Sequence, residues 1–165
     1  MRRYHFLLAL LVLLLDQATK WLVLDRIALH ESITVIPGFF RLTHVQNRGA
    51  AFGLFSDSPS QWKVGLLILF SLVALLVVSR LLWKNSHRFS ATGFALALIM
   101  GGAVGNLWDR LQEGFVVDYL DFYLGSYHWP AFNVADSAIV IGAFVLVAEI
   151  LFSRPSAGEK PVPER

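Results

Sequence analysis

The sequence contains no cysteine, which removes a disulfide framework, a thiolate nucleophile and thiolate metal ligation at once. Charge is scarce too: 16% of the 165 residues are Asp, Glu, Lys or Arg, against 56% hydrophobic, and the mean hydropathy is +0.58. That balance lies outside the range of a soluble globular domain and fits a membrane protein. A Gly-x-Ser-x-Gly elbow and a His-Glu-x-x-His pair are both missing, so neither serine-hydrolase nor zinc-protease chemistry has its usual sequence support. The net charge of +2 and pI of about 9.2 do not indicate a nucleic-acid partner. The basic residues sit in short clusters beside apolar runs, where they act as topology signals.

What is present is a set of apolar segments at about 6–24, 64–83, 89–108 and 137–152, close to the ~20 residues a helix needs to cross a bilayer. Arg2 and Arg3 followed by Phe6–Leu15 imitate a secretory signal peptide, but no small-x-small cleavage site follows and apolar character resumes at Trp21. The first segment is therefore read as a retained transmembrane helix. Between the segments lie loops 25–63 and 109–136, and a polar, Pro-containing tail follows at 153–165. In the first loop Ile33, Val35, Phe39 or Phe40, Leu42 and Val45 recur at spacings near two around Pro37-Gly38, which predicts a small β-hairpin. Ala97, Gly101 and Gly105 form a small-residue stripe that lets membrane helices approach closely. The expected fold is an all-α integral membrane protein: one domain over 1–165, four transmembrane helices and a small extracytoplasmic β-element. The basic residues Arg2, Arg3, Arg80, Lys84, Arg88, Arg154, Lys160 and Arg165 fall on one side, which the positive-inside rule makes cytoplasmic. Both termini are then expected inside the cell, with both loops 25–63 and 109–136 outside.

The polar residues near the outer ends point to one pocket. Asp16 with Lys20, Asn106 with Asp109 and Arg110, Asp118, and Asn133 with Asp136 are all predicted at the same leaflet, and ionisable residues at that depth face a bundle interior or a wet cavity. With cysteine absent and Ser137 lacking a base, carboxylates carry the chemistry. Asp118 and Asp136 flank an aromatic-rich stretch and are free to approach each other, whereas Asp16 and Asp109 have adjacent cations that hold them ionised and structural. Two close carboxylates share a proton, the electronic arrangement of an aspartic protease. Asp121 competes with Asp118 for the first position, and Asp136 also reads as the N-cap of the fourth helix. His44 and His128 have no metal-ligand spacing and read as lone surface or interfacial histidines; no metal and no cofactor is expected. Two other classes compete: a small transporter or proton relay, which calls for charge at mid-membrane depth, and a non-catalytic membrane scaffold.

Five motifs, Asp16-Gln17-Ala18-Thr19-Lys20, Asn47-Arg48-Gly49-Ala50-Ala51-Phe52-Gly53, Gly101 through Arg110, Val117-Asp118-Tyr119 and Phe132-Asn133-Val134-Ala135-Asp136, together resemble the bacterial lipoprotein signal peptidases, signal peptidase II. They stand in that family's order and span all the apolar segments. The resemblance implies an aspartic endopeptidase of the bacterial inner membrane that removes the signal peptide from diacylglyceryl-modified prolipoproteins by cleaving before the lipidated cysteine. It implies Asp118 and Asp136 as the catalytic pair, with Asn47, Asn106, Arg110 and Asn133 lining or supporting the site. Asp16, Lys20 and Asp109 correspond to a polar shell tying the helices together. The implied partners are the prolipoprotein substrates and membrane lipids.

Overall fold

Ser90 sets the start of the central helix: its side chain accepts a hydrogen bond from the Gly93 N–H at 3.0 Å, satisfying one of the free donors of the first turn. That helix belongs to a computed structural model that describes residues 2–49, 61–85 and 90–152. Its elements are α1 (Arg2–Arg26), β1 (Ser32–Ile36), β2 (Phe40–Asn47), α2 (Gln61–Asn85), α3 (Ala91–Gln112), β3 (Val116–Leu124), β4 (Tyr127–His128) and α4 (Val134–Phe152). The Ala50–Gly53 part of the second motif, His87 and Arg88 of the basic loop, and the tail at 153–165 lie outside the described residues.

The 4 long helices are apolar enough to cross a membrane, and α3 lies against each of the other three. Over half of its apolar window is buried (56%) and none of that of α2 (0%), so α3 is the axis and α2 a lipid-facing neighbour. Glycine makes the close approach possible: a Cβ on Gly101 would fall 2.5 Å from the Ala9 carbonyl oxygen of α1, and one on Gly142 would fall 2.6 Å from that of Ala95. The helices extend a few residues beyond the apolar runs, because flanking polar residues continue the backbone ladder into the headgroup zone. The fourth begins at Val134 and not at Ser137, since Asn133 supplies the cap.

The β-element is larger than the sequence suggested, so "all-α" is too narrow. Both loops contribute strands to one antiparallel sheet of order β1-β2-β3-β4, and the aromatic-rich stretch after Val116 is mostly strand. Successive side chains of a strand face opposite ways: Val117 and Tyr119 pack on Val23 of α1 and on Ile27 just beyond its end, which leaves Asp118 between them on the other face. The Tyr119 hydroxyl donates to Thr19 Oγ1 at 2.6 Å, and burial pushes this phenol above its usual range, so it stays a proton donor. A bulge between Leu42 and Val45 shifts the β2–β3 register and pairs Val45 with Asp118. His44 at this bulge is buried, with Nδ1 on the Ile27 carbonyl at 2.9 Å, which corrects the reading of a surface histidine.

Candidate active site

The site is built outward from the first turn of α4. Asn133 Oδ1 accepts from the Asp136 N–H at 2.9 Å, and Asp136 Oδ2 accepts from the Asn133 N–H at 3.3 Å, a reciprocal capping box. Asn133 is thus the N-cap; Asp136, expected in that role, sits inside the first turn where the helix dipole attracts an anion. The Asn133 Nδ2 then donates across to Asp118 Oδ1 at 2.7 Å. One fully buried amide therefore ties together the carboxylates flanking the aromatic stretch.

Each carboxylate has a further amide donor. Asn47 Nδ2 donates to Asp118 Oδ2 at 2.9 Å, and its Oδ1 accepts from the Gly49 N–H at 2.9 Å, which fixes the amide's orientation. Asn106 Nδ2 donates to Asp136 Oδ1 at 2.7 Å. Burial of Asp118, followed by the charge of Asp136, pushes the Asp118 carboxyl up to about 7, against the opposing pull of the Asn47 and Asn133 hydrogen bonds and Lys20. Near neutral pH the pair accordingly holds one proton and one negative charge.

Behind the pair lies a buried ionic cluster. Lys20 Nζ reaches Asp16 Oδ2 at 2.7 Å, Asp109 Oδ2 at 2.8 Å and Asn106 Oδ1 at 3.0 Å, using all three ammonium donors. Asp109 is therefore paired with Lys20 of α1, and not with Arg110, the cation next to it in sequence. Successive residues on a helix point about 100° apart, so i and i+1 do not face each other. Asp16 Oδ1 accepts from the Ala135 N–H at 2.9 Å, capping α4 from another helix. Arg110 donates to the Asn106 carbonyl at 3.2 Å and the Gly49 carbonyl at 3.3 Å, strapping the backbone after Asn47 onto α3. Its charge also acts on Asp136 and Asp118.

The nine residues singled out from the sequence thus form one connected network. Asp121, the competitor for the first position, stays out of it: three positions along a strand reverse the face, and Asp121 instead pairs with Arg41 at 2.6 Å and His128 at 3.0 Å. His128 is therefore not a lone histidine. Sequence reasoning missed Gln17, whose Nε2 donates to Asp109 Oδ1 at 2.8 Å and to Asp16 Oδ2 at 3.3 Å. Its position inside the Asp16–Lys20 motif was the available signal. Among the described residues no group of three His, Asp or Glu side chains is placed to hold a metal ion.

A family model described as signal peptidase (SPase) II matches residues 8–152. A protein named lipoprotein signal peptidase from Desulforapulum autotrophicum is 53% identical over 152 residues, covering 90% of this chain and 91% of that one. One of the same name from Solibacter usitatus is 43% identical over 143 residues, covering 87% of each. A bacterial membrane enzyme solved by the in meso method at 2.3 Å resolution superposes with a TM-score of 0.83 at 30% identity, covering 97% of this chain and 94% of that one.

Proposed function

The chain belongs to the signal peptidase II family, a multi-pass membrane peptidase that removes signal peptides from prolipoproteins, and on that premise we propose that Asp118 and Asp136 are its catalytic pair. The observation that carries the assignment is the Asn133 bridge, in which one buried amide donates to Asp118 and caps against Asp136. Two carboxylates held by a shared neighbour and a shared proton are suited to aspartic peptidase chemistry.

The pair shares one proton, because burial and the charge of Asp136 raise the Asp118 carboxyl to about 7, and the cycle starts with that proton on Asp118. Asp136 takes a proton from water as the oxygen attacks the scissile carbonyl carbon. Asp118 donates its proton to the carbonyl oxygen, giving a tetrahedral diol. On collapse Asp118 recovers a proton from a diol hydroxyl and Asp136 passes its own to the departing amine, which restores the starting pair. Asn47 and Asn133 hold Asp118, and Asn106 holds Asp136, so little reorganisation accompanies the charge movement. No metal or organic cofactor enters these steps.

The substrate is a prolipoprotein bearing a diacylglyceryl group on the cysteine that becomes the new N-terminus. Its acyl chains remain in lipid beside the helices, where each buried methylene contributes ~0.8 kcal/mol. The protein lies in the bacterial inner membrane with both termini cytoplasmic, as the clustering of basic residues supports, and the sheet and dyad face the extracytoplasmic side. The proton-relay alternative calls for charge at mid-depth, whereas Asp109, Asp118 and Asp136 lie where α3 and α4 meet the sheet, and membership of a peptidase family sets the scaffold alternative aside.

The deciding experiment compares cleavage of a diacylglyceryl-modified prolipoprotein by detergent-purified wild type, Asp118→Asn and Asp136→Asn at matched thermal stability. Cleavage before the lipidated cysteine by wild type alone is expected. Full activity in either variant overturns the dyad, and failure of wild type on a validated substrate overturns the function.

A further inference from the structure

At the sheet end remote from the dyad, a second polar cluster is built with comparable care. Asp121 is buried in β3 and holds two cationic or polar partners in fixed orientation: Arg41 Nε at 2.6 Å and His128 Nδ1 at 3.0 Å. The ring of Tyr123 is the common floor. It stacks on His128 at 5.1 Å between centroids and 15° between planes, and the Arg41 guanidinium lies 5.5 Å above it. The Tyr123 hydroxyl accepts from the Gly38 N–H at 3.1 Å, pinning the β1–β2 turn to β3.

An ion pair meant only to hold two strands needs no histidine. Here the carboxylate occupies Arg41 Nε and His128 Nδ1, and Arg41 Nη2 lies 3.5 Å from His128 Nδ1 on the same edge, which leaves Arg41 Nη1 and His128 Nε2 as the nitrogens on the edges turned from the carboxylate. Both side chains are part-exposed, at 34% and 40%. A carboxylate that orients a guanidinium and an imidazole this way presents outward donors suited to an oxyanion. Around them the two hairpin tips expose Phe39, Leu124, Tyr127 and Trp129. Trp21, Trp62 and Trp108 are likewise exposed near the sheet-side ends of α1, α2 and α3, the position of an interfacial aromatic belt. Donors suited to an oxyanion, bordered by exposed apolar and aromatic side chains beside a bilayer, match the chemistry of a lipid headgroup.

We propose that Arg41 and His128, oriented by Asp121 and Tyr123, bind the phosphate of a membrane phospholipid, while the surrounding apolar tips lie among its glycerol and upper acyl carbons. The site clamps the tip of the sheet at the membrane surface and is separate from the peptidase dyad.

The test is native mass spectrometry of the detergent-purified full chain titrated with short-chain phosphatidylglycerol, a phosphate-free diacyl glycolipid of equal chain length, and inorganic phosphate. Wild type should retain phosphatidylglycerol, and His128→Gln should weaken retention at least about tenfold. His128→Gln replaces a part-exposed side chain and keeps the Arg41–Asp121 pair. The double variant Arg41→Gln/Asp121→Asn removes that pair together, so no buried charge is stranded, and should lose retention too. Unchanged retention in both variants overturns the site. Equal retention of the glycolipid shows that the phosphate is not recognised, and equally tight inorganic phosphate shows a free-anion site; either overturns the proposal.

Discussion

The Asn133 side chain donates to Asp118 Oδ1 across 2.7 Å while the same residue caps α4, so the start of a transmembrane helix and the orientation of a carboxylate depend on one amide. Asn133→Asp separates the two roles. The new carboxylate still accepts from the Asp136 N–H, but it repels Asp118 in place of donating to it. Cleavage is expected to fall at least about 100-fold with the helix cap retained. Asn133→Ala loses cap and donor together, about 1 kcal/mol for the cap, and adds no buried charge beside Asp118. Cleavage rates beside thermal melts separate the variants; Asn133→Asp cleaving at the wild-type rate would refute the donor role.

The raised carboxyl of Asp118 makes stability and activity depend on pH. An acid whose folded pKa is about 7 and whose unfolded pKa is ~3.9 binds its proton more tightly in the folded state. Its contribution is therefore fully present below about pH 4, declines as pH rises towards about 7 and is then lost, by no more than about 4 kcal/mol. Melting temperature in detergent should fall between pH 5 and pH 8 in wild type and fall less in Asp118→Asn. Cleavage should decline on a basic limb centred near pH 7, where the shared proton is lost. Activity still rising through pH 9 would place that proton elsewhere.

Much of this arrangement was legible in the sequence. Charges are so rare among apolar runs that Asp16, Lys20, Asn106, Asp109 and Asp136 stand out, and helical spacing alone pairs Asp16 with Lys20 at 2.7 Å. Strands were harder. The stretch Val116–Leu124 is apolar on both faces at its start, with Val116, Val117 and Tyr119 buried alongside Asp118, so it lacks the alternation that revealed the first hairpin. The cross-helix choice of Lys20 over Arg110 for Asp109 was illegible because it depends on how α1 and α3 are rotated against each other. That rotation is set by glycine contacts such as Gly101 on Ala9.

Lys20 is the only cation bonded to Asp16 and Asp109 among the described residues, and all three groups are buried. Lys20→Met leaves two carboxylates without their counter-ion and Asn106 Oδ1 without its closest donor. A loss of about 3–5 kcal/mol is expected, together with activity, because Asn106 then no longer holds Asp136 in place. Adding Asp16→Asn and Asp109→Asn should recover much of the stability, since the stranded charges are gone, and little of the activity. Equal recovery of both would mean that Lys20 acts only by neutralising its partners.

Gly105 shows how little room the cluster has. A Cβ there would fall 2.5 Å from Asp16 Oδ2, the oxygen that receives Lys20, whereas a Cβ on Gly38, at φ 78, would meet nothing within 4 Å. The two alanine variants should therefore fail differently. Gly38→Ala costs about 1–2 kcal/mol for a left-handed backbone and leaves cleavage intact. Gly105→Ala gains helix propensity but pushes the Asp16 carboxylate off both Lys20 and the Ala135 N–H, displacing the first turn of α4 on which Asp136 sits. It is expected to lower cleavage by more than about tenfold even where its melting temperature matches that of Gly38→Ala. Matched losses of stability with equal cleavage would show that the position of Asp16 is not transmitted to the dyad.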